Sequence, residues 1–384
     1  MVNLPLLWIS ALFYVALASV LYVASVLLVG SIFRLEAKLK RNWLTQSGRK
    51  RVVLAALSLP PLLAVLPTGA GVTLRHMHAA QPYVAFHAEE AAPLAHHAMA
   101  CQQLFDRLAL LGGLGVGGST GLAVSILVGG AAWALLLAGL FFTSRLLWAT
   151  LRLEKGITPL LAQPSPRLAA SLSRVGRSFP MFSSSRFFEC AIPAAYSSVL
   201  GLLQARCVLS AALVATAPDD ELDAVVAHEA SHLRSGDVYA TFLVGLLNCV
   251  FFFLRPVRFL SRLWRESAEL ASDDAAVRAT GNPLAMAAAI LRVSGIETPN
   301  MARNLPAIAL PFSDESACAP AKRVERLLDQ AQRATLPAVA ETRLQVVMGW
   351  TATGIFAAVG LGLLLSSEVA CVTHCALELV ERFV

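Results

Sequence analysis

Long apolar runs alternate with short polar segments along this chain, and four of the runs are long enough to cross a bilayer. A spanning helix needs about 20 mostly apolar residues, because the hydrocarbon core is about 30 Å thick. The candidate spans are residues 4–33, 52–74, 121–143 and 344–365. The pattern therefore predicts a mainly α-helical, multi-pass membrane protein.

Basic residues after the first run set the predicted orientation. Lysines and arginines cluster within residues 34–51, and the positive-inside rule places such a cluster in the cytoplasm. The N-terminus and C-terminus are then outside the cell (inner) membrane. The predicted parts are a membrane region with an outer loop at about 75–106, a cytoplasmic domain, and a last span with a short outer tail, at residues 1–143, 144–343 and 344–384.

Composition agrees with a membrane protein, since 57% of the residues are hydrophobic and 15% are charged. The net charge of +6 follows from the cytoplasmic arginines and lysines, so it does not indicate direct binding of nucleic acid. The predicted outer side holds Cys101, Cys371 and Cys375, where a disulfide is permitted. The outer loop also holds histidines that bind a transition metal, sense pH or are simply solvated, namely His76, His78, His87, His96 and His97.

Candidate chemistry is concentrated in a helix predicted to begin after Pro218. It contains His228-Glu229-Ala230-Ser231-His232. Residues four apart share one face of a helix, so both imidazoles can bind one ion. Zinc in a hydrolytic site takes three protein ligands and leaves its fourth position to water. Glu229, beside a ligand but not itself a ligand, is placed to accept a proton from that water.

A second predicted helix, at about residues 263–280, supplies the remaining groups. Glu269 is the candidate third zinc ligand, and Glu266 is the next to consider. Asp273 lies one turn after Glu269 and could accept the free ring N–H of a ligand histidine. Asp237, just past the first helix, could do the same or cap that helix. The sequence thus predicts a centre that holds one zinc ion.

Two further segments belong to the predicted cytoplasmic domain. Residues 197–213 predict short strands with a turn at Gly201. Residues 241–254 are strongly apolar but extend only about 21 Å as a helix, which is short of a full crossing. This segment lies between the two histidines and Glu269, so a single crossing would place these predicted ligands on opposite sides of the membrane. We therefore expect the segment to be membrane-embedded or interfacial.

These segments resemble the membrane zinc metallopeptidases of the BlaR/MecR antibiotic-sensor type. The resemblance rests on residues 198–204, 221–237 and 265–277 and covers about residues 144–291. It implies a gluzincin-like domain, whose short sheet flanks the zinc helix and binds substrate as an added strand, here residues 199–213. Zinc ligands, catalytic glutamate and cofactor are then those predicted above.

The chain departs from the signalling members in two respects. After the last predicted span only residues 366–384 remain, too few for a penicillin-binding sensor domain. Ser272 also stands where sensor-type relatives commonly have cysteine, and HtpX-type membrane proteases resemble this part almost as well.

We therefore expect an integral membrane zinc endopeptidase that cleaves a cytoplasmic or membrane-bound protein in a signalling or regulatory pathway. A cytoplasmic transcriptional repressor is one candidate partner. The alternatives are an HtpX-like quality-control protease and a non-catalytic zinc-binding receptor or scaffold. The sequence leaves the oligomeric state open.

Overall fold

A computed structural model describes residues 4–39, 44–80, 119–178, 184–294, 320–333, 351 and 354. The chain forms two compact units. The first comprises Met1–Ser31, Ala55–Gly139 and Thr353–Val384, and the second comprises Ile32–Leu54 and Leu140–Ala352. The candidate site lies in the second unit.

Three long helices come first, α1 (Leu4–Leu39), α2 (Gln46–Ala80) and α3 (Ser119–Ile157). Within the described ranges, two segments are long and apolar enough to be candidates for spanning a membrane, Tyr14–Lys38 and Gly130–Leu160. They overlap the first and third predicted spans. The second predicted span is helical as part of α2, and the fourth lies outside the described residues apart from positions 351 and 354. The multi-pass topology stays a prediction.

In the first unit, α1 and α2 contact each other through a buried tyrosine. The Tyr22 hydroxyl donates a hydrogen bond to the carbonyl oxygen of Leu57 at 2.9 Å, and both residues are fully buried. An apolar helix pair offers a phenol few partners, so a backbone carbonyl is the natural acceptor.

The second unit is mainly helical with a small mixed sheet, in agreement with the fold class predicted from the sequence. Besides the parts of α1 to α3 that belong to it, this unit contains β1 (Leu161–Ala162), α4 (Pro166–Gly176), β2 (Phe187–Cys190), β3 (Ser197–Leu200), β4 (Arg206–Ser210), α5 (Ala211–Thr216), α6 (Asp219–Ser235), α7 (Asp237–Val250), α8 (Arg255–Thr280), α9 (Pro283–Ser294) and α10 (Pro320–Arg333).

Among the described residues the sheet has four strands in the order β1-β2-β4-β3. The β2–β4 pair is parallel, and the other two pairs are antiparallel. A tight turn begins at Gly201, which has a φ of 101°, and leads the chain from β3 to β4. A Cβ atom there would lie 2.2 Å from the carbonyl oxygen of Gln204, so only glycine fits. The predicted strands and turn are confirmed, and β3 lies at an edge of the sheet.

Helix α6 begins and ends where the sequence predicts. Its first turn carries acidic residues, which favour the positive end of the helix dipole. Gly236 ends α6 in the left-handed conformation, with φ of 68°, and α7 begins at the next residue. The helix that carries the histidines therefore turns abruptly into α7.

Helix α8 is longer than predicted, since it begins at Arg255 rather than near residue 263. Its buried residues Val257, Leu260 and Trp264 recur at helical spacing and carry the apolar face back to the first turn. The exposed arginines between them obscured this face in the sequence. Helix α7 contacts α8 through Asn248, whose side-chain amide donates to the Ser261 hydroxyl at 2.8 Å. Membrane embedding of this region stays a prediction.

The core of the second unit lies where α6 packs between the sheet, α4, α8 and α9. Apolar side chains from all these elements form one buried cluster. Its fully buried members include Leu168, Cys207, Leu209, Leu222, Val226 and Ala276. Helix α6, which carries His228 and His232, is thus held by packing on several sides.

Candidate metal centre

His228 and His232 on α6 and Glu269 on α8 converge on one point. Their ligand atoms all lie within 4.8 Å of one another. The two Nε2 atoms are 3.1 Å apart, and the carboxylate oxygens of Glu269 lie 3.6 Å and 3.7 Å from them. The three predicted ligands therefore meet in space.

This donor set fits zinc. Imidazole nitrogens and a carboxylate oxygen are its usual ligands in hydrolytic sites. Two nitrogens at bonding distance from one tetrahedral zinc ion lie about 3.3 Å apart, close to the 3.1 Å between His228 Nε2 and His232 Nε2. The two nitrogens lie this close while the ring planes are nearly perpendicular, at 78°.

Asp273 and Arg323 hold the His228 side of the centre. Asp273 Oδ1 lies 3.0 Å from His228 Nδ1, and its side chain is fully buried. Arg323, on α10, donates to both oxygens of Asp273 at 2.6 Å and 2.8 Å. Its Nη1 also lies 2.8 Å from Glu269 Oε2. One guanidinium therefore fixes both Glu269, the predicted third ligand, and the carboxylate behind His228.

Asp237 and Lys50 occupy the equivalent places on the His232 side. Asp237 Oδ2 lies 2.8 Å from His232 Nδ1, and the Ser272 hydroxyl lies 3.2 Å from the same nitrogen. The Lys50 ammonium donates to Asp237 Oδ1 at 2.7 Å. The structure thus places Asp273 and Asp237 where the sequence predicts supporting carboxylates.

The pKa values of His228 and Glu269 are shifted by each other and by the charged groups beside them. Burial alone would lower the pKa of His228, but Asp273 and Glu269 beside the ring raise it above its ordinary value. Burial alone would raise the pKa of Glu269, yet His228, His232 and Arg323 hold it well below its usual range. A metal ion that binds here takes the place of a proton on this pair.

Glu229 lies beside the ligands and faces a cleft. Its side chain is buried, and Oε1 accepts a hydrogen bond from the Ser197 hydroxyl at 2.7 Å. The cleft has a volume of about 1030 Å³ and is lined by strand β3, the ligands and Glu229. A carboxylate, a trio of metal donors and an open sheet edge therefore border one cavity.

Residues 195–302 match the family model described as BlaR1 peptidase M56. The BlaR/MecR-type resemblance is confirmed for this segment. The match supports a membrane-associated metallopeptidase family. No curated protein and no solved structure matches the chain.

The BlaR1-type segment contains the candidate metal donors, Glu229, Asp273 and Asp237. It does not contain the two basic residues that pair with these aspartates. Lys50 precedes the matched residues and Arg323 follows them. Sequence reasoning missed both, and it missed Ser197 as the donor to Glu229. The basic character of residues 34–51 drew attention to Lys50 for topology, not as a part of the metal site.

Other predicted candidates take different places around the BlaR1-type segment. Glu266 pairs with Lys322 at 3.0 Å instead of joining the ligands. Asp274, the residue after Asp273, pairs with Arg326, and only 19% of its side chain is exposed. The outer cysteines and the histidines after Ala80 lie outside the described residues, and the side chains of His76 and His78 do as well.

Proposed function

We propose that this protein is an integral membrane zinc endopeptidase that cleaves a cytoplasmic or membrane-bound protein in a signalling or regulatory pathway. One observation carries the proposal. Three zinc-type donors and the separate carboxylate of Glu229 border the same cleft. The match to a BlaR1-type peptidase supports it independently.

His228, His232 and Glu269 would hold the zinc ion, which acts as a Lewis acid and lowers the pKa of water. Glu229 would accept the proton of the attacking water and later pass it to the leaving amine. The Ser197 hydroxyl orients the Glu229 carboxylate through its hydrogen bond. Asp273 and Asp237 fix the ring orientations of the two histidines.

The edge strand supports a peptide as the substrate. Strand β3 pairs with β4 on one side, and its residues line the cleft. An extended peptide can add to such an edge through main-chain hydrogen bonds, which are independent of sequence. The scissile bond would then pass the metal centre, and side-chain contacts in the cleft would select the substrate.

The test compares four variants of the full chain, purified in detergent and expressed in cells. Glu229→Gln should retain zinc and lose about 10² to 10⁴ in cleavage rate, since an amide cannot accept the proton. His228→Ala, His232→Ala and Glu269→Ala should lose zinc. Zinc content is measured on the purified proteins, and new protein termini are compared between cells with wild type and with Glu229→Gln.

Glu266→Gln is the matched control, because Glu266 is an acidic residue of α8 that pairs with Lys322. It should retain zinc and cleavage. Termini that appear equally with wild type and Glu229→Gln would contradict the peptidase proposal and favour a zinc-binding scaffold. Retention of stoichiometric zinc by Glu269→Ala would show that the third ligand is another residue.

A further inference from the structure

A buried ion pair joins the start of α2 to the metal centre. Lys50 and Asp237 are 2.7 Å apart, and their side chains are only 10% and 7% exposed. The second oxygen of Asp237 lies 2.8 Å from His232 Nδ1. Both oxygens of the carboxylate are thus engaged, one by the ammonium and one by the imidazole, which leaves the carboxylate a single orientation.

The start of α2 is itself held in place. Glu36, near the end of α1, is buried and accepts hydrogen bonds from the Leu44 backbone N–H at 2.7 Å and from Arg49 at 2.9 Å and 3.2 Å. Arg49 is the residue before Lys50. Because α1 and α2 are joined at this point, the ammonium reaches Asp237 from a fixed base.

Burial of a lysine ammonium costs free energy, because the charge loses its contact with water. A buried charge is therefore found only where an oppositely charged or hydrogen-bonding partner contacts it. On a basic segment that otherwise serves orientation, an exposed lysine would satisfy the positive-inside rule equally well. The burial of Lys50 therefore needs a reason beyond topology. Its ammonium donates to Asp237, the carboxylate that faces the ring of His232.

We propose that Lys50 is a positioning residue of the metal centre, which acts on His232 through Asp237. The inference rests on the proposed zinc site and adds to it a residue from outside the BlaR1-type segment. The start of α2 is thereby a functional part of the centre.

Metal geometry, rather than affinity, is the measurement that decides. Removal of the ammonium loosens Asp237, which weakens zinc binding, but it also removes a positive charge near a dication, which strengthens it. The visible spectrum of Co²⁺ in the site responds to ligand arrangement. We therefore choose cobalt-substituted full-length protein in detergent as the probe.

Lys50→Met should shift the Co²⁺ absorption bands and change their intensity. Lys38→Met is the matched control, because Lys38 belongs to the same basic cluster and is exposed; its spectrum should equal that of wild type. In an Asp237→Asn background, the change Lys50→Met should add no further spectral shift, since Lys50 acts through Asp237. Thermal unfolding of the metal-free proteins reports any general loss of stability.

A wild-type spectrum for Lys50→Met, with or without a lower melting temperature, would overturn the proposal and leave the pair a structural one. A further shift in the Asp237→Asn background would also overturn it. Should Lys50→Met be too unstable to purify, Lys50→Gln, which also lacks the charge but keeps a polar side chain, takes its place with the same two outcomes. Failure of wild type to bind zinc or cobalt would refute the metal centre itself, a result distinct from the others.

Discussion

The two sides of the metal centre use the same arrangement with different cations. On each side a histidine that is a candidate metal ligand faces an aspartate, and that aspartate pairs with a cation from a distant segment. Asp273 pairs with Arg323, whose guanidinium contacts both carboxylate oxygens and Glu269 as well. Asp237 pairs with Lys50, whose ammonium contacts one oxygen.

The difference shows how orientation and charge can be supplied separately. A guanidinium is planar and can donate two hydrogen bonds to one carboxylate, which fixes the orientation of that carboxylate. An ammonium is a compact charge at the end of a flexible side chain. The His232 ring has a further neighbour, the Ser272 hydroxyl at 3.2 Å. We therefore expect the His228 side to tolerate substitution less than the His232 side.

The largest effect is expected for Asp273→Asn. The carboxylate is fully buried, and its loss removes both a partner of His228 and the bidentate partner of Arg323. Outer partners of metal ligands are worth about 10- to 100-fold in metal affinity, and this one should lie near the upper limit. Competition with a chelator at fixed pH measures the zinc dissociation constant.

Asp237→Asn should weaken zinc binding less, by about tenfold, because Ser272 can still contact the His232 ring. The same competition assay applies. An equal or greater loss than in Asp273→Asn would show that the two sides do not differ in the way that their geometry indicates.

Arg323→Lys tests whether the fork matters beyond its charge. The substitution retains the positive charge but cannot donate to both oxygens of Asp273 and to Glu269 in the same geometry. Loss of one hydrogen bond costs about 1 kcal/mol, or about fivefold in the zinc dissociation constant. Unchanged affinity in Arg323→Lys, together with loss in Arg323→Met, would assign the effect to charge alone.

The smallest effect is expected for Ser272→Ala, at about twofold or less in zinc affinity, since Asp237 remains the shorter contact of His232. Combined with Asp237→Asn, however, the loss should exceed the product of the two single effects. Simple additivity in this double-mutant cycle would remove Ser272 as the reserve partner.

The sequence predicted those parts of the site that depend on local spacing. His228, Glu229 and His232 are recognisable because helical periodicity alone places them together. Glu269 and Asp273 are one turn apart on a second helix, so that a single inference located both. The end of α6 at Gly236 was likewise visible, because glycine adopts the left-handed conformation without strain.

The cations were not predictable, because their partners are fixed only by tertiary packing. Lys50 lies 187 residues before Asp237, and Arg323 lies 50 residues after Asp273. No periodicity connects positions so far apart in the sequence. From the sequence alone, many other lysines and arginines could equally have paired with these aspartates. The early start of α8 was missed for a related reason, since its buried face is only apparent once its neighbours are known.

The wide spread of these residues bears on how the protein is made. Synthesis proceeds from the N-terminus, so Lys50 leaves the ribosome first, the histidines follow, and Arg323 comes last. Until α10 has been synthesised, Glu269 and Asp273 lack the guanidinium that holds them. The nascent chain therefore carries an unfinished site until α10, which holds Arg323, has left the ribosome.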